Sequence, residues 1–255
     1  MTQKPLVITI ANRKGGTGKT TTAVNLAAEW GKKGYKTLII DLDTQGHVSV
    51  GTALRELDSE PARIHDIFSD KNINIQDIVR FTKTKNVWVA PADTTFVGRD
   101  LKGLLLRNYI SENEGFKRFD RIVIDTPPTL DSLLINSMAA ANGVIVPFVP
   151  HHLSSVGVNQ LAKLFYQVAT KHNSELRLLG LLPVMYDRNI KLHKRVLESL
   201  EKQYGKGRML RGIRTNIKLA EAFEAGSPVK DYVAKCTGSM DYQLLAEELE
   251  TFFIK

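Results

Sequence analysis

Cysteine is almost missing from this chain. Cys236 is the only one, so one copy can build neither an internal disulfide framework nor a thiolate-rich metal site. Long apolar runs are missing too: none approaches the roughly 18 residues that a membrane-spanning helix needs. Low-complexity tracts, internal repeats and long Pro/Gly/Ser linkers are absent, which favours one domain over residues 1–255. The opening Met1-Thr-Gln-Lys-Pro5 has no positive-then-apolar leader pattern, and a soluble cytoplasmic protein is the expectation. Acids are scarce in one place. Between Arg188 and Lys218 stand ten Lys/Arg and only two acids, Glu198 and Glu201, so the entire formal excess of +8 lies in that segment. Basic charge gathered in this way predicts a polyanionic partner.

What is present is an alternation. The apolar, β-branched runs Leu6–Ala11, Thr37–Asp41, Val87–Ala90, Arg121–Asp125, Gly143–Val149 and Leu178–Met185 read as strands. Several are apolar at consecutive positions, as strands covered on both faces should be. Helical patterns lie between and after them: Lys19–Lys33, roughly Thr95–Glu112, Ser132–Asn142, Ser155–His172, Ile190–Tyr204 and Ser239–Phe253. This order predicts an α/β fold, a doubly wound and mostly parallel β-sheet flanked by helices. Ligands in such sheets sit beyond the carboxyl ends of the strands, which directs attention to the loops after Ala11, Asp41 and Asp125.

The first of those loops reads Asn12-Arg-Lys14-Gly15-Gly16-Thr17-Gly18-Lys19-Thr20-Thr21. Glycines let the backbone curl around phosphate oxygens, and the helix that follows offers free N–H groups and a favourable dipole. Lys19 can reach the β and γ phosphates and Thr20 can hold magnesium. The reading is a P-loop protein that binds ATP or GTP with Mg2+, with one departure: Lys14 occupies the position of the usual first glycine. Asp125, at a strand tip beside the loop, can make a water-mediated contact with the metal. Asp43, after the second strand, can orient or activate the attacking water.

Taken together, Lys14–Thr21 resembles the deviant Walker A motif of the ParA/MinD superfamily. Asp41–Gly46 (DLDTQG) is similar to its DxDPQG segment, and Arg121–Pro128 (RIVIDTPP) to its Walker B strand. The stretch from Arg214 to Ala222, with Gly226–Val229, resembles the C-terminal segment of Soj-like ParA proteins. The resemblance runs from about residue 5 to the C-terminus. It implies that Lys14 crosses a homodimer interface to the other subunit's nucleotide and that Lys19 and Thr20 form the ordinary Walker pair. It makes Asp43 the residue that governs hydrolysis, and Thr20, Asp43 and Asp125 the magnesium side. Met185 and Asn216 are expected at the nucleotide, Asn216 near the adenine. Two positions depart from the family: Thr44 stands where proline is usual, and Arg214-Thr215 where Pro-Arg is usual.

The superfamily's branches divide on chemistry. A bridging iron–sulfur cluster needs two cysteines per subunit. A MinD-like membrane helix needs a basic face, whereas Asp241–Lys255 carries four acids and one lysine; it is expected to pack on the body through Leu244, Leu245, Leu249, Phe252 and Phe253. The basic segment suits DNA, with Lys191, Lys194 and Arg195 on one helical face and Val196, Leu197 and Leu200 inward. Arg188, Arg208, Arg211, Arg214 and Lys218 are the further DNA candidates. With no base-reading motif present, phosphate binding to non-specific double-stranded DNA is predicted. The resemblance implies a nucleoid-bound ATP dimer whose partner, a ParB-like or cargo-adaptor protein, stimulates hydrolysis and release, so segregating plasmid or chromosome DNA. Positioning of a protein cargo such as a carboxysome or chemoreceptor array, a P-loop kinase or amidoligase, and a non-catalytic nucleotide-dependent scaffold are the competing readings.

Overall fold

The computed structural model describes residues 4–54, 61–69, 73–97, 101, 104–129 and 132–253. Its centre is a seven-stranded sheet: β1 (Leu6–Ile10), β2 (Thr37–Asp41), β3 (Arg80–Phe81), β4 (Val87–Ala90), β5 (Arg121–Asp125), β6 (Gly143–Phe148) and β7 (Arg177–Pro183). The order is β3-β4-β2-β5-β1-β6-β7, parallel throughout except for β3, which runs antiparallel to β4. The helices are α1 (Lys19–Lys32), α2 (His47–Gly51), α3 (Ile75–Ile78), α4 (Leu105–Glu112), α5 (Ser132–Ala140), α6 (Ser154–Lys171), α7 (Lys191–Tyr204), α8 (Ile217–Glu224), α9 (Val229–Tyr232) and α10 (Thr237–Glu250).

The consecutive apolar residues of the strands feed two cores in strict alternation. Val7, Leu38, Ile40, Ile122, Ile124, Val144 and Val146 join α4, α5, α6 and α7 on one face. Ile8, Ile10, Ile39, Val123 and Ile145 join α1 and α10 on the other. Strand side chains alternate between faces, so a run buried on both must be apolar at every step. On α10, Tyr242, Leu245, Ala246 and Leu249 turn inward; Leu244, Phe252 and Phe253 are only half-buried. On α7, Val196 and Leu200 are buried as expected and Leu197 is half-buried, while His193 is an unforeseen buried member.

The six predicted strands are all present, with ends moved by a residue or two. The expectation of a helix from Thr95 is corrected: α4 begins at Leu105. The Asp93 carboxylate accepts the Thr95 N–H at 2.8 Å and its hydroxyl at 2.7 Å, a local turn that competes with helix formation. Residues 98–100 and 102–103 of that expectation lie outside the described residues. The predicted Ser132–Asn142 helix stops at Ala140, and the Asn142 side-chain oxygen instead accepts the Val7 N–H at 2.8 Å.

Candidate functional site

β1, β5 and β2 end side by side, with Ile10 level with Asp125 and Asp41 level with Asp125. Everything that follows those strands therefore meets at one rim. The loop after β1 turns through Gly16 and Gly18, both at φ 70°. A side chain would be strained at either position, and a β-carbon on Gly15 or Gly16 would meet no atom within 4 Å. The loop is anchored by buried Asn12, whose amide donates to the Pro147 carbonyl at 2.5 Å and whose oxygen accepts the Lys14 N–H at 3.0 Å. The Lys14 carbonyl in turn accepts from the Thr17 hydroxyl and from the Lys19 ammonium, both at 3.2 Å. Gly18 caps α1 in the left-handed conformation, and a β-carbon there would lie 3.7 Å from the Val184 side chain after β7.

Lys19 is 6% exposed. Burial lowers its pKa, while the charges of Asp125 and Asp43 oppose that shift. The Thr20 hydroxyl donates to Asp125 Oδ2 at 2.7 Å, while Asp125 Oδ1 is buried without a partner among the described residues. Burial pushes the Asp125 carboxyl up to about 7 against the Thr20 bond and the Lys19 charge, with the Asp43 charge adding to the rise. Asp43 is 7% exposed and its Oδ1 accepts the Gln45 N–H at 3.1 Å; Gly46, not Asp43, caps α2.

Sequence reasoning missed the site role of Asp41. Fully buried, it accepts the N–H of Asp43 at 3.0 Å and of Val48 at 3.2 Å, holding the Asp43 loop in shape. Burial first, then the neighbouring Asp125 charge, raises its pKa well above the usual carboxylate range. The one trace of it in the sequence is an Asp directly after the apolar run Leu38–Ile40; the two backbone N–H groups that it holds appear only in the fold.

Does this rim fit a nucleotide with magnesium? The glycine cradle is open, an ammonium waits on a loop carbonyl, and beside a threonine hydroxyl a buried carboxylate oxygen has no partner among the described residues. Among the described residues no group of three or more His, Cys, Asp or Glu side chains could hold a metal ion by itself. Magnesium is held by one or two carboxylates together with substrate phosphates, and Asp125 beside the Thr20 hydroxyl offers such a donor set. The residues fit.

The remaining candidates fall in two groups. Met185, at φ 50° and exposed, directly follows Val184, whose side chain lies near Gly18. Its neighbour Tyr186 bridges to Arg214, so the Asn216 segment lies alongside. Asn216 caps α8 by accepting the Lys218 N–H at 2.8 Å. Among the basic residues, Arg188, Lys191, Lys194 and Arg195 are exposed, and none is ion-paired among the described residues. Arg208 donates to the Leu178 carbonyl at 2.7 Å, and the Arg211 backbone donates to Glu248 at 2.9 Å. Arg214 is engaged elsewhere. Its guanidinium and its own N–H all grip buried Asp241 on α10, the ion pair measuring 2.7 Å. Lys218 pairs with Glu221 at 2.6 Å. Lys14 is half-buried, its stem lying against Gly157 of α6, and Arg13 beside it bonds Gln160. No helix among the described residues is long and apolar enough to cross a membrane.

A family profile described as an AAA domain matches residues 6–178. The chromosome-partitioning ATPase Soj of Treponema pallidum is 32% identical over 249 residues, spanning 95% of this chain and 96% of that protein. Cobyrinic acid a,c-diamide synthase from Mycobacterium smegmatis, solved with an ATP analogue and magnesium, superposes with a TM-score of 0.80 at 25% identity, over 98% of this chain and 96% of that one. An ATP complex of a substituted McdA from Cyanothece shares the fold, with a TM-score of 0.86 at 18% identity over 99% and 98% of the two chains.

Proposed function

The chain belongs to the ParA/MinD family of P-loop ATPases, and from that premise we propose that it is a partition ATPase whose ATP-bound dimer coats DNA. ATP hydrolysis with magnesium is the family's chemistry and this protein's. Under this reading, Gly15 to Thr21 cradle the phosphates and Lys19 leaves the Lys14 carbonyl for the β and γ oxygens. Thr20, with Asp125 and Asp43 behind it, would hold the magnesium, which supplies neutralisation of phosphate charge. Asp43 orients the attacking water. Lys14, beyond what one loop needs, reaches across a homodimer to the other nucleotide, and Met185 and Asn216 flank the base. A ParB-like or adaptor partner accelerates a slow basal turnover and releases the dimer.

The observation that carries the DNA reading is the outer face of α7 and the turn before it, where Arg188, Lys191, Lys194 and Arg195 are exposed and unpaired among the described residues. Unpaired surface cations lose little on meeting phosphates and gain from counterion release. Arg214 and Lys218, already paired, are secondary contributors. The test is binding of a random duplex by the ATP-loaded protein across a salt series. Alanine at Lys191, Lys194 and Arg195 should cut affinity at least tenfold and reduce the salt slope by about 0.9 for each lost phosphate contact, with ATPase activity retained. Unchanged DNA affinity would remove the α7 face from the proposal.

A further inference from the structure

His65 lies outside every motif discussed so far. It sits in a short 3-10 turn, Ile64–Phe68, and is 1% exposed. Both of its ring nitrogens are used. Nδ1 accepts the Asp93 N–H at 3.0 Å; it therefore carries no proton, and the proton resides on Nε2. Nε2 faces the Leu42 carbonyl at 3.3 Å and donates to it. Burial holds the ring's pKa below the ordinary histidine value, although the Leu42 bond and the charges of Asp93, Asp66 and Asp43 pull the other way.

That carbonyl belongs to the peptide joining Leu42 to Asp43. The N–H of the same peptide donates to Asp41 Oδ1 at 3.0 Å. One peptide plane is thus held at both ends, by Asp41 on its N–H and by His65 on its carbonyl, and the residue it orients is Asp43. The other side of the ring reaches the loop after β4. Asp93 supplies the second bond, the Phe96 ring stacks 4.5 Å away, and the Ile64 N–H donates to the Pro91 carbonyl at 3.0 Å. A β-carbon on Gly46 would lie 3.1 Å from the Thr94 methyl, so the same loop also lies close to the far end of the Asp43 turn.

We infer that His65 is a positioning residue for ATP hydrolysis, fixing the Leu42–Asp43 peptide and tying its orientation to the loop of residues 91–97. The inference rests on the reading of Asp43 as the hydrolytic carboxylate. Among the described residues His65 makes no hydrogen bond to the phosphate loop, so its loss should slow turnover and spare nucleotide affinity.

Three substitutions separate positioning from packing. In His65→Gln the side-chain amide reaches the place of Nε2 and can still donate to Leu42. In His65→Asn the shorter amide can keep only the Asp93 bond. His65→Phe keeps the stacking and loses both bonds. ATP turnover at saturating magnesium–ATP and Kd for a fluorescent ATP analogue are measured for each, with Asp43→Ala alongside. Expected are a kcat within about threefold of the parent for Gln, a fall of about tenfold or more for Asn and Phe, and Kd within about twofold throughout. Equal rates for Gln and Asn, parental turnover in Phe, or a Kd that weakens in step with kcat would each overturn the inference. If the Phe protein does not fold, the Gln and Asn pair decides. Asp43→Ala should bind ATP and scarcely hydrolyse it. Normal turnover there would fell the Asp43 reading and this inference with it, whereas silent His65 variants beside an inactive Asp43→Ala would fell this inference alone.

Discussion

Replacing Asp125 by asparagine should stabilise the nucleotide-free protein at neutral pH while it destroys function. In the fold the carboxyl titrates near 7 because it is buried, against 3.8 for an ordinary aspartate. Below pH 4 both folded and unfolded chains hold the proton, and no penalty exists. As pH rises from about 4 to 7 the unfolded chain releases it and the folded chain keeps it, so stability falls across that window and levels off above it. A rise of this size corresponds to about 4 kcal/mol, at about 1.36 kcal/mol for each pH unit. Asparagine keeps an oxygen for the Thr20 hydroxyl and lifts the penalty. Lys19, left with fewer carboxylates about it, returns part of the gain, so about 2 kcal/mol is expected at pH 8. For a chain of this size that is about 4–8 °C in Tm. Thermal unfolding in EDTA without nucleotide, from pH 4 to pH 8, measures it. The variant should match the parent near pH 4 and melt progressively higher above it; adding magnesium–ATP should reverse the ranking by raising only the parent. A variant no more stable at pH 8, or more stable by a constant amount at every pH, would show that burial of this carboxylate carries no such penalty.

Two further outcomes follow from the geometry. Lys19→Ala removes the ammonium that the loop holds in readiness and should abolish ATP binding, read by equilibrium dialysis or a fluorescent analogue, with the circular dichroism spectrum unchanged. Leu245→Ala, at 0% exposure in the core between α10, α1 and the sheet, should cost about 2–5 kcal/mol in denaturant unfolding and leave turnover intact below the transition.

The fold was legible because its strands are buried on both faces. A run such as Leu38–Ile40 has to be apolar at every position, and that signature needs no neighbour to interpret. The phosphate loop was legible for a related reason: glycine, lysine and threonine requirements fall within ten consecutive residues. β3 was not legible, since two residues carry no period; it exists because β4 offers Arg80 and Phe81 an edge. The start of α4 was misplaced because the competing Asp93–Thr95 turn is a side-chain bond that helical patterning does not register.

Charge and polarity divide the two levels most sharply. The basic density of 188–218 is a property of the chain, visible by counting. Which cations remain available is not, because Arg214 meets Asp241 from 27 positions away while Lys191 and Lys194 meet no carboxylate among the described residues. The same holds for the carboxylates. Residue order alone specifies a P-loop ATPase with an extra lysine at Lys14 and places Asp43 and Asp125 at strand ends. That Asp41 and His65 grip the two ends of the peptide before Asp43 is settled by packing alone. Those two residues arrive from β2 and from a turn more than twenty residues later, and such contacts are set when the chain packs.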